Sequence, residues 1–400
     1  MNLSRIHQDL MVLAGELPHR GAQSNQERQA AEFLLSRFKE YTPDVELDDF
    51  NAIDNPYYFF AACYTEFLIV SVLAIWWPSF AAGYGTMVFL LYLAEFMGYH
   101  ILSRFMPQYP SQNVIARFLA ARPKRLMVVF AHYDSGAQTP LTRPRALRWW
   151  RPVHLLLLMC MVIVVATCLA DAFPLDEDAA YPHIVELRWT AATVLACAAA
   201  LLFLSASKTE DIRGANENAS GTTALLRMAE SLAQRPLDNC DVWLAALGCN
   251  ESWMSGLRHL LATQGFDRSQ TWFINLEAVG AGKLHYLKNE GFVHQFRADT
   301  RLLAAAESAP AEHGVAQGAF RALPTAAHPA HARGYAAMSI MGLGEDGFPV
   351  NWNSIDDRVT AMEESSIAAA ADFVVALLRR LDEQAQRESV VRSYTLNTGP

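Results

Sequence analysis

Val128-Val129-Phe130-Ala131-His132-Tyr133-Asp134-Ser135 decides how the polar part of this chain folds. An apolar run ending in His-x-Asp reads as a buried strand that carries an imidazole and a carboxylate to its C-terminal end. A second stretch, Gly214-Ala215-Asn216-Glu217-Asn218-Ala219-Ser220-Gly221, reads as a loop opening a helix, with one carboxylate at its centre. In open α/β sheets, ligands bind in the crevice outside the carboxyl ends of the strands. A histidine and several acids gathered there point to a metal centre of the zinc type.

Outward from these stretches the polar sequence alternates strands and helices. Ser111–Phe118 and Leu126–His132 are strand-like, joined by a turn containing Pro123. Asp241–Gly248, Thr271–Glu277 and Ala336–Gly344 are further short apolar strands. Residues 25–39, Ser220–Gln234 and Ser365–Gln386 have helical spacing, and Arg387–Pro400 reads as a tail. Strands alternating with helices predict an α/β fold, a mostly parallel mixed sheet with helices on both faces.

Four apolar runs, about Tyr57–Trp77, Phe80–Ser103, Pro152–Ala170 and Trp189–Ser207, are long enough to cross a bilayer. Pro78-Ser79 and Asp171–Glu186 break them into two hairpins, and Tyr57, Tyr58, Trp76, Trp77, Trp149, Trp150 and Trp189 sit at run ends as an interfacial belt requires. The expected organisation is a polar domain of residues 1–56, 104–151 and 208–400, interrupted by transmembrane hairpins at 57–103 and 152–207. Arg104, Arg143, Arg145, Arg148, Arg151, Lys208 and Arg213 flank the spans on the polar-domain side. The opposite loop holds Asp171, Asp176, Glu177, Asp178 and Glu186, with Arg188 only at its edge. The positive-inside rule then places an integral membrane protein's polar domain in the cytoplasm, with the lipid bilayer as a partner. Glu66 and Glu95 fall inside the first two spans, where buried acids are costly, and are expected to form an intramembrane acidic pair.

Hydrophobic residues make up 52% of the 400 and charged residues 18%, which fits a polar domain combined with spans. A net charge of −9 gives no basis for nucleic-acid binding. The six cysteines include no Cys-x-x-Cys pair, so neither a disulfide framework nor a thiolate zinc site is expected. Met1–Glu16 is amphipathic and lacks the apolar core of a signal peptide.

His132, Glu217, Glu251 and Glu277 all fall at strand ends or helix starts, and zinc accepts both imidazole nitrogen and carboxylate oxygen. Asp134, two residues after His132, is placed to orient the imidazole. With these residues the chain resembles the zinc exopeptidases that include bacterial leucyl aminopeptidase and aminopeptidase Y. Glutaminyl cyclases and the inactive relatives nicastrin and nicalin share that fold. The resemblance rests on Leu17-Pro18-His19-Arg20-Gly21, Ala131–Ser135, Gly214–Gly221, Gly248-Cys249-Asn250-Glu251 with Gly256, Ile274-Asn275-Leu276-Glu277, and Phe348-Pro349, Trp352-Asn353-Ser354 and Asp356-Asp357.

The resemblance implies a metal held by His132, Glu277 and the bridging Glu217, and a second position with Glu251 and Glu217. Glu217 and Glu277 stand where the family has Asp, Asn250 stands at its general base, and Asn353 at its last His ligand. One zinc ion rather than two is therefore expected, and Asn250, a neutral amide, cannot accept the proton that a hydrolytic water must lose. His328 and His331, near the last motif, are candidates to replace the missing ligand or base. The implied function is a membrane-anchored, metal-dependent aminopeptidase-type hydrolase acting on a peptide or small amide. The alternatives are an inactive peptidase-fold scaffold that binds a peptide or protein partner, and glutaminyl-cyclase-like acyl transfer.

Overall fold

The computed structural model describes residues 3–99, 101–173, 181–207, 210–309 and 313–397. The acids Asp176, Glu177 and Asp178 and the basic Lys208, which entered the topology argument, lie outside them. The described chain divides into two compact units: Met1–Ala52 with Tyr109–Gln138 and Glu210–Pro400, and Ile53–Gln108 with Thr139–Thr209.

The first unit is built on a nine-stranded mixed sheet. Its strands are β1 Val45–Ile53, β2 Gln108–Phe118, β3 Arg125–His132, β6 Cys240–Leu247, β7 Thr271–Glu277, β8 Lys283–Gly291, β9 Gln295–Arg297, β10 Ala316–Phe320 and β11 Ala336–Leu343, while β4 Ala137–Gln138 and β5 Glu210–Asp211 form a separate small ladder. The order is β1-β2-β6-β3-β7-β11-β8-β10, with β9 paired to β8. β6, β3, β7 and β11 run parallel as neighbours, so their C-terminal ends meet along one edge. β2 and β8 join antiparallel to this group.

Alternation in β3 shows why both faces must be covered. Met127, Val129 and Ala131 enter one core with α1 Leu3–Leu10, α2 Asn25–Lys39, α7 Ser220–Gln234, α9 Thr300–Glu307 and α11 Glu364–Asn397. Val128 and Phe130 enter the opposite core with α8 Ser255–Thr263 and α10 His328–Ala332. Successive strand side chains point to opposite faces, so a continuous apolar run demands two covered faces. Local chemistry sets the helix starts. Ser24 Oγ accepts the Glu27 N–H at 3.0 Å while Glu27 Oε2 accepts the Gln23 N–H at 2.6 Å, a reciprocal cap on α2. The segment expected to be a tail from Arg387 is helical to Asn397.

The second unit contains α3 Pro56–Leu73, α4 Pro78–Phe96, α5 Pro144–Ala172 and α6 Tyr181–Ala206, four helices long and apolar enough to span a membrane. They bury Phe67, Val70, Ala81, Met161, Val164, Ala192 and Leu195 against one another. α5 starts eight residues before the expected Pro152, which lies inside the helix. α4 stops at Phe96 instead of continuing to Ser103, because Glu95 turns the chain: its Oε2 accepts the N–H groups of Ile101, Leu102 and Ser103 at 2.9–3.2 Å. Glu66 accepts from Tyr84 Oη across the hairpin at 2.6 Å. Glu95 thus caps backbone donors and Glu66 meets a phenol, contacts that give each acid a partner of its own.

Candidate metal centre

The parallel strand ends assemble the site. β3 lies between β6 and β7, and neighbouring strands are about 4.8 Å apart, so His132, the turn after β6 and Glu277 are brought side by side. Glu217 comes from the turn Ala215–Ala219 that leads into α7, and Asn353 from the loop after β11. Three of these segments are held in an unusual backbone conformation. Cys249, Ala278 and Asn353 all have φ near +50°, a region that costs a side-chain-bearing residue free energy and persists only when its surroundings enforce it.

Asp134 is fully buried and spans two parts of the site. Its Oδ1 lies 3.3 Å from His132 Nδ1, and its Oδ2 accepts the Glu251 N–H at 2.8 Å. His132 Nδ1 also faces the Asp134 carbonyl at 3.1 Å. Asp134 thus contacts both the imidazole and the turn that presents Glu251. Asp357 does the same for Glu217, accepting the N–H groups of Asn216 at 2.7 Å and Glu217 at 3.0 Å.

Arg20 clamps these elements together from a fully buried position. Its guanidinium donates to the carbonyls of Leu13 and Leu17 near the N-terminus, Tyr133 after β3, and Arg213 and Gly214 before the Glu217 turn, and to Asn218 Oδ1. Burial lowers its pKa to about 10, with Asp134, Asp357 and Glu217 acting in the opposite sense. The only sequence signal for this role is its place in the Leu17–Gly21 motif.

The site is rich in acid. Burial raises Glu217 well above the usual carboxylate range, with Glu251 adding to the effect. Burial pushes Glu251 up to about 7 and Asp357 up to about 6, and also raises Glu277. Burial by itself would lower His132, but Asp134, Glu251 and Glu277 outweigh it and push the imidazole up to about 9. Five carboxylates, Asp134, Glu217, Glu251, Glu277 and Asp357, face one guanidinium and one imidazole, an imbalance that a bound cation would relieve.

Geometry adds a cradle to this imbalance. Gly136 leaves a gap where a side-chain carbon would sit 2.5 Å from Asn353 Oδ1, 3.0 Å from Glu251 Oε2 and 3.3 Å from Glu217 Oε1. Asn353 Oδ1 and Glu217 Oε1 are buried without hydrogen-bond partners. The convergence falls at the position that the resemblance made incomplete. Glu277 Oε2 accepts from Asn275 Nδ2 at 2.8 Å and from the Ala326 N–H at 3.0 Å. Among the described residues no three His, Cys, Asp or Glu side chains form a ready metal-binding group; the converging trio includes an amide. Two orphaned oxygens, a third beside them and a cluster of buried carboxyls that a cation would help ionise nevertheless fit a divalent cation.

Asn250 hydrogen-bonds the Glu251 carboxylate. His331 Nε2 is 2.9 Å from Glu290 Oε1 with its ring stacked on Phe296, and His328 packs edge-on against the same phenyl ring. Glu27, which sequence reasoning passed over, is buried beneath the site. Its Oε1 accepts the Cys249 N–H at 2.9 Å and Ser111 Oγ at 3.1 Å, and burial, with the charge on Asp134 adding, raises it to about 8.

This architecture is like that of solved zinc exopeptidases. Residues 200–378, the segment carrying Glu217, Glu251, Glu277 and Asn353, match Peptidase family M28. The chain is similar in fold to BSAP, a zinc aminopeptidase from Bacillus subtilis, at 14% identity over 94% of both chains and a TM-score of 0.54. A leucine aminopeptidase precursor from Bacteroides thetaiotaomicron gives 13% identity, 94% and 97% coverage and 0.53. Glutaminyl cyclase from Porphyromonas gingivalis gives 15%, 96% and 98% coverage, and 0.52. No curated protein matches the sequence.

Proposed function

We propose that this protein is a membrane-anchored, zinc-dependent hydrolase of aminopeptidase type, with its polar unit on the cytoplasmic side and a peptide or small amide as substrate. The observation that carries the reading is the Gly136 cradle, where Glu217, Glu251 and Asn353 oxygens converge near His132 in a site crowded with buried carboxyls. His132, Glu217, Glu251 and Glu277, with Asn353, would hold one zinc ion. When bound, the ion would supply Lewis acidity that polarises a scissile carbonyl. The protein's own groups do the rest. Asp134 holds the imidazole and the Glu251 turn, Asp357 holds the Glu217 turn, and Arg20 ties the two to the N-terminal segment.

The anchor rests on four long apolar helices that expose Ile69, Val72, Met87, Leu90, Met159, Val162, Leu201 and Leu204, side chains suited to lipid contact. The cytoplasmic side rests on the basic flanks around Arg143–Arg151.

A second reading, a non-catalytic scaffold that binds a peptide or protein partner, is favoured by Asn250, whose amide cannot take a proton and whose loss of base function costs about 10²–10⁴ in rate. Zinc analysis of the purified full chain together with an aminopeptidase assay separates the two. Near one equivalent of zinc, removed by His132→Ala, with measurable turnover supports the hydrolase. Zinc without turnover supports the scaffold, and no zinc on titration ends the metal reading. Release of ammonia from an N-terminal glutamine peptide, leaving pyroglutamate at the peptide's N-terminus, would instead support acyl transfer.

A further inference from the structure

Glu290, near the end of β8, is buried and receives four hydrogen bonds. Its Oε1 accepts from His331 Nε2 at 2.9 Å and the Ser339 N–H at 3.0 Å. Its Oε2 accepts from Thr325 Oγ1 and Ser339 Oγ, both at 2.5 Å. The His331 charge and hydrogen bond, with Ser339 and Thr325, outweigh burial and hold this carboxyl below its ordinary range. Glu290 is therefore an ionised acceptor in the core, on the far side of Glu277 from the cradle residues.

Two chains of contacts lead from Glu290 to Glu277. In the first, a hydroxyl has a single proton, and Ser339 Oγ gives it to Glu290. Its lone pair is left for Asn275 Nδ2 at 3.2 Å. The same amide nitrogen donates to Glu277 Oε2 at 2.8 Å, while Asn275 Oδ1 is left without a partner. The charge on Glu290 thereby decides which way the Asn275 amide faces, and presents an N–H rather than a carbonyl to Glu277. In the second, Glu290 holds Thr325, and the next residue, Ala326, donates its backbone N–H to the same Glu277 oxygen at 3.0 Å.

We infer that Glu290 is a positioning residue: by fixing Asn275 and Ala326 it holds the Glu277 carboxylate in the one orientation in which it faces His132. The inference rests on the reading of Glu277 as a metal ligand, and it gives His331 a place as the partner of Glu290. A neutral Glu290 would free the Ser339 hydroxyl to donate toward Asn275, the amide could turn, and Glu277 would lose one or both of its donors.

The test uses the full chain in detergent, with two readouts. The first is zinc affinity by competition with a chelator, where Glu290→Gln should weaken binding about 10–100-fold, as loss of a group supporting a ligand does. The second is hydrogen exchange at the Ala326 amide in metal-free protein. Glu290→Gln and Glu277→Gln should each accelerate it roughly tenfold or more, and together no further than either alone. Glu290→Asp should rescue part of both effects. Wild-type zinc affinity and wild-type Ala326 exchange in Glu290→Gln overturn the inference. Should Glu290→Gln fail to fold, Ser339→Ala removes only the Asn275 arm and must weaken zinc binding in the same sense, or the inference fails. A wild-type chain that binds no zinc ends the metal reading, and Ala326 exchange then decides the positioning role alone.

Discussion

Gly136→Ala is the most direct probe of the cradle. The Gly136 backbone is outside the left-handed region, so alanine is conformationally allowed there. The added methyl would nevertheless sit 2.5 Å from Asn353 Oδ1 and 3.0 Å from Glu251 Oε2, closer than carbon and oxygen tolerate, and 3.3 Å from Glu217 Oε1. In the metal-free protein the three side chains can swing away, and restriction of the unfolded chain returns about 0.4–1 kcal/mol. Net destabilisation should therefore stay within about 2 kcal/mol. Zinc binding requires the same oxygens to converge against the methyl, so it carries the full overpacking cost of about 1–3 kcal/mol. At about 1.4 kcal/mol per factor of ten, affinity should fall roughly 5- to 150-fold. Chelator competition measures the affinity and a thermal melt of metal-free protein measures the fold. A folded Gly136→Ala protein that binds zinc as tightly as wild type would refute the cradle as the ion's position, leaving only the His132 and Glu277 side.

Restoring the substituted positions with Asn250→Glu and Asn353→His should raise aminopeptidase turnover at least roughly tenfold, a modest demand given the usual worth of a positioned base; a fall in turnover would show that another group takes the proton. Glu27 is raised from 4.5 to about 8 by burial, so it takes up a proton on folding. Its contribution is complete below about pH 4.5 and lost as pH rises through about 8; Glu27→Gln should flatten melting temperature against pH across that window, and an unchanged profile would place the titration elsewhere. Tyr84→Phe and Glu66→Gln, which remove the two ends of one hydrogen bond, should be non-additive in stability, whereas Glu66→Gln and Glu95→Gln should add; coupling between the two acids would show that they form a pair. A reporter at Asp176 should face away from the cytoplasm and one at the C-terminus toward it; labelling of the C-terminus from outside intact cells would reverse the topology.

Local pattern made much of the molecule legible. The apolar run before His132 could only be a strand buried on both faces, and the helix of residues 25–39 follows from its own spacing and its Ser24 cap. The four long apolar helices are written in composition, though their ends are not: α4 stops early because the Glu95 carboxylate gathers three backbone donors beyond it, a contact that periodicity cannot reveal. β1, β8 and β10 were missed because Val45-Glu46-Leu47-Asp48-Asp49-Phe50, Lys283–Gly291 and Ala316–Phe320 have mixed or short apolar patterns that gain strand character only by pairing with neighbours.

The site divides in the same way. The residue types of His132, Glu217, Glu251 and Glu277 and their places at element ends are properties of the sequence, and so is the absence of a carboxylate at Asn250. Which of them converge is not, because strand order places β3 between β6 and β7 and this order depends on chain crossovers. Only the tertiary structure shows that Glu277 is occupied by Asn275 and Ala326, that the open oxygens meet over Gly136, and that Arg20, Glu27 and Glu290 support the turns beneath them. A hydrogen bond between residues as far apart as Arg20 and Asn218 leaves no local trace in either segment. Such contacts depend on distances that the whole fold sets, whereas a strand or a span is specified by the side chains of its own few residues.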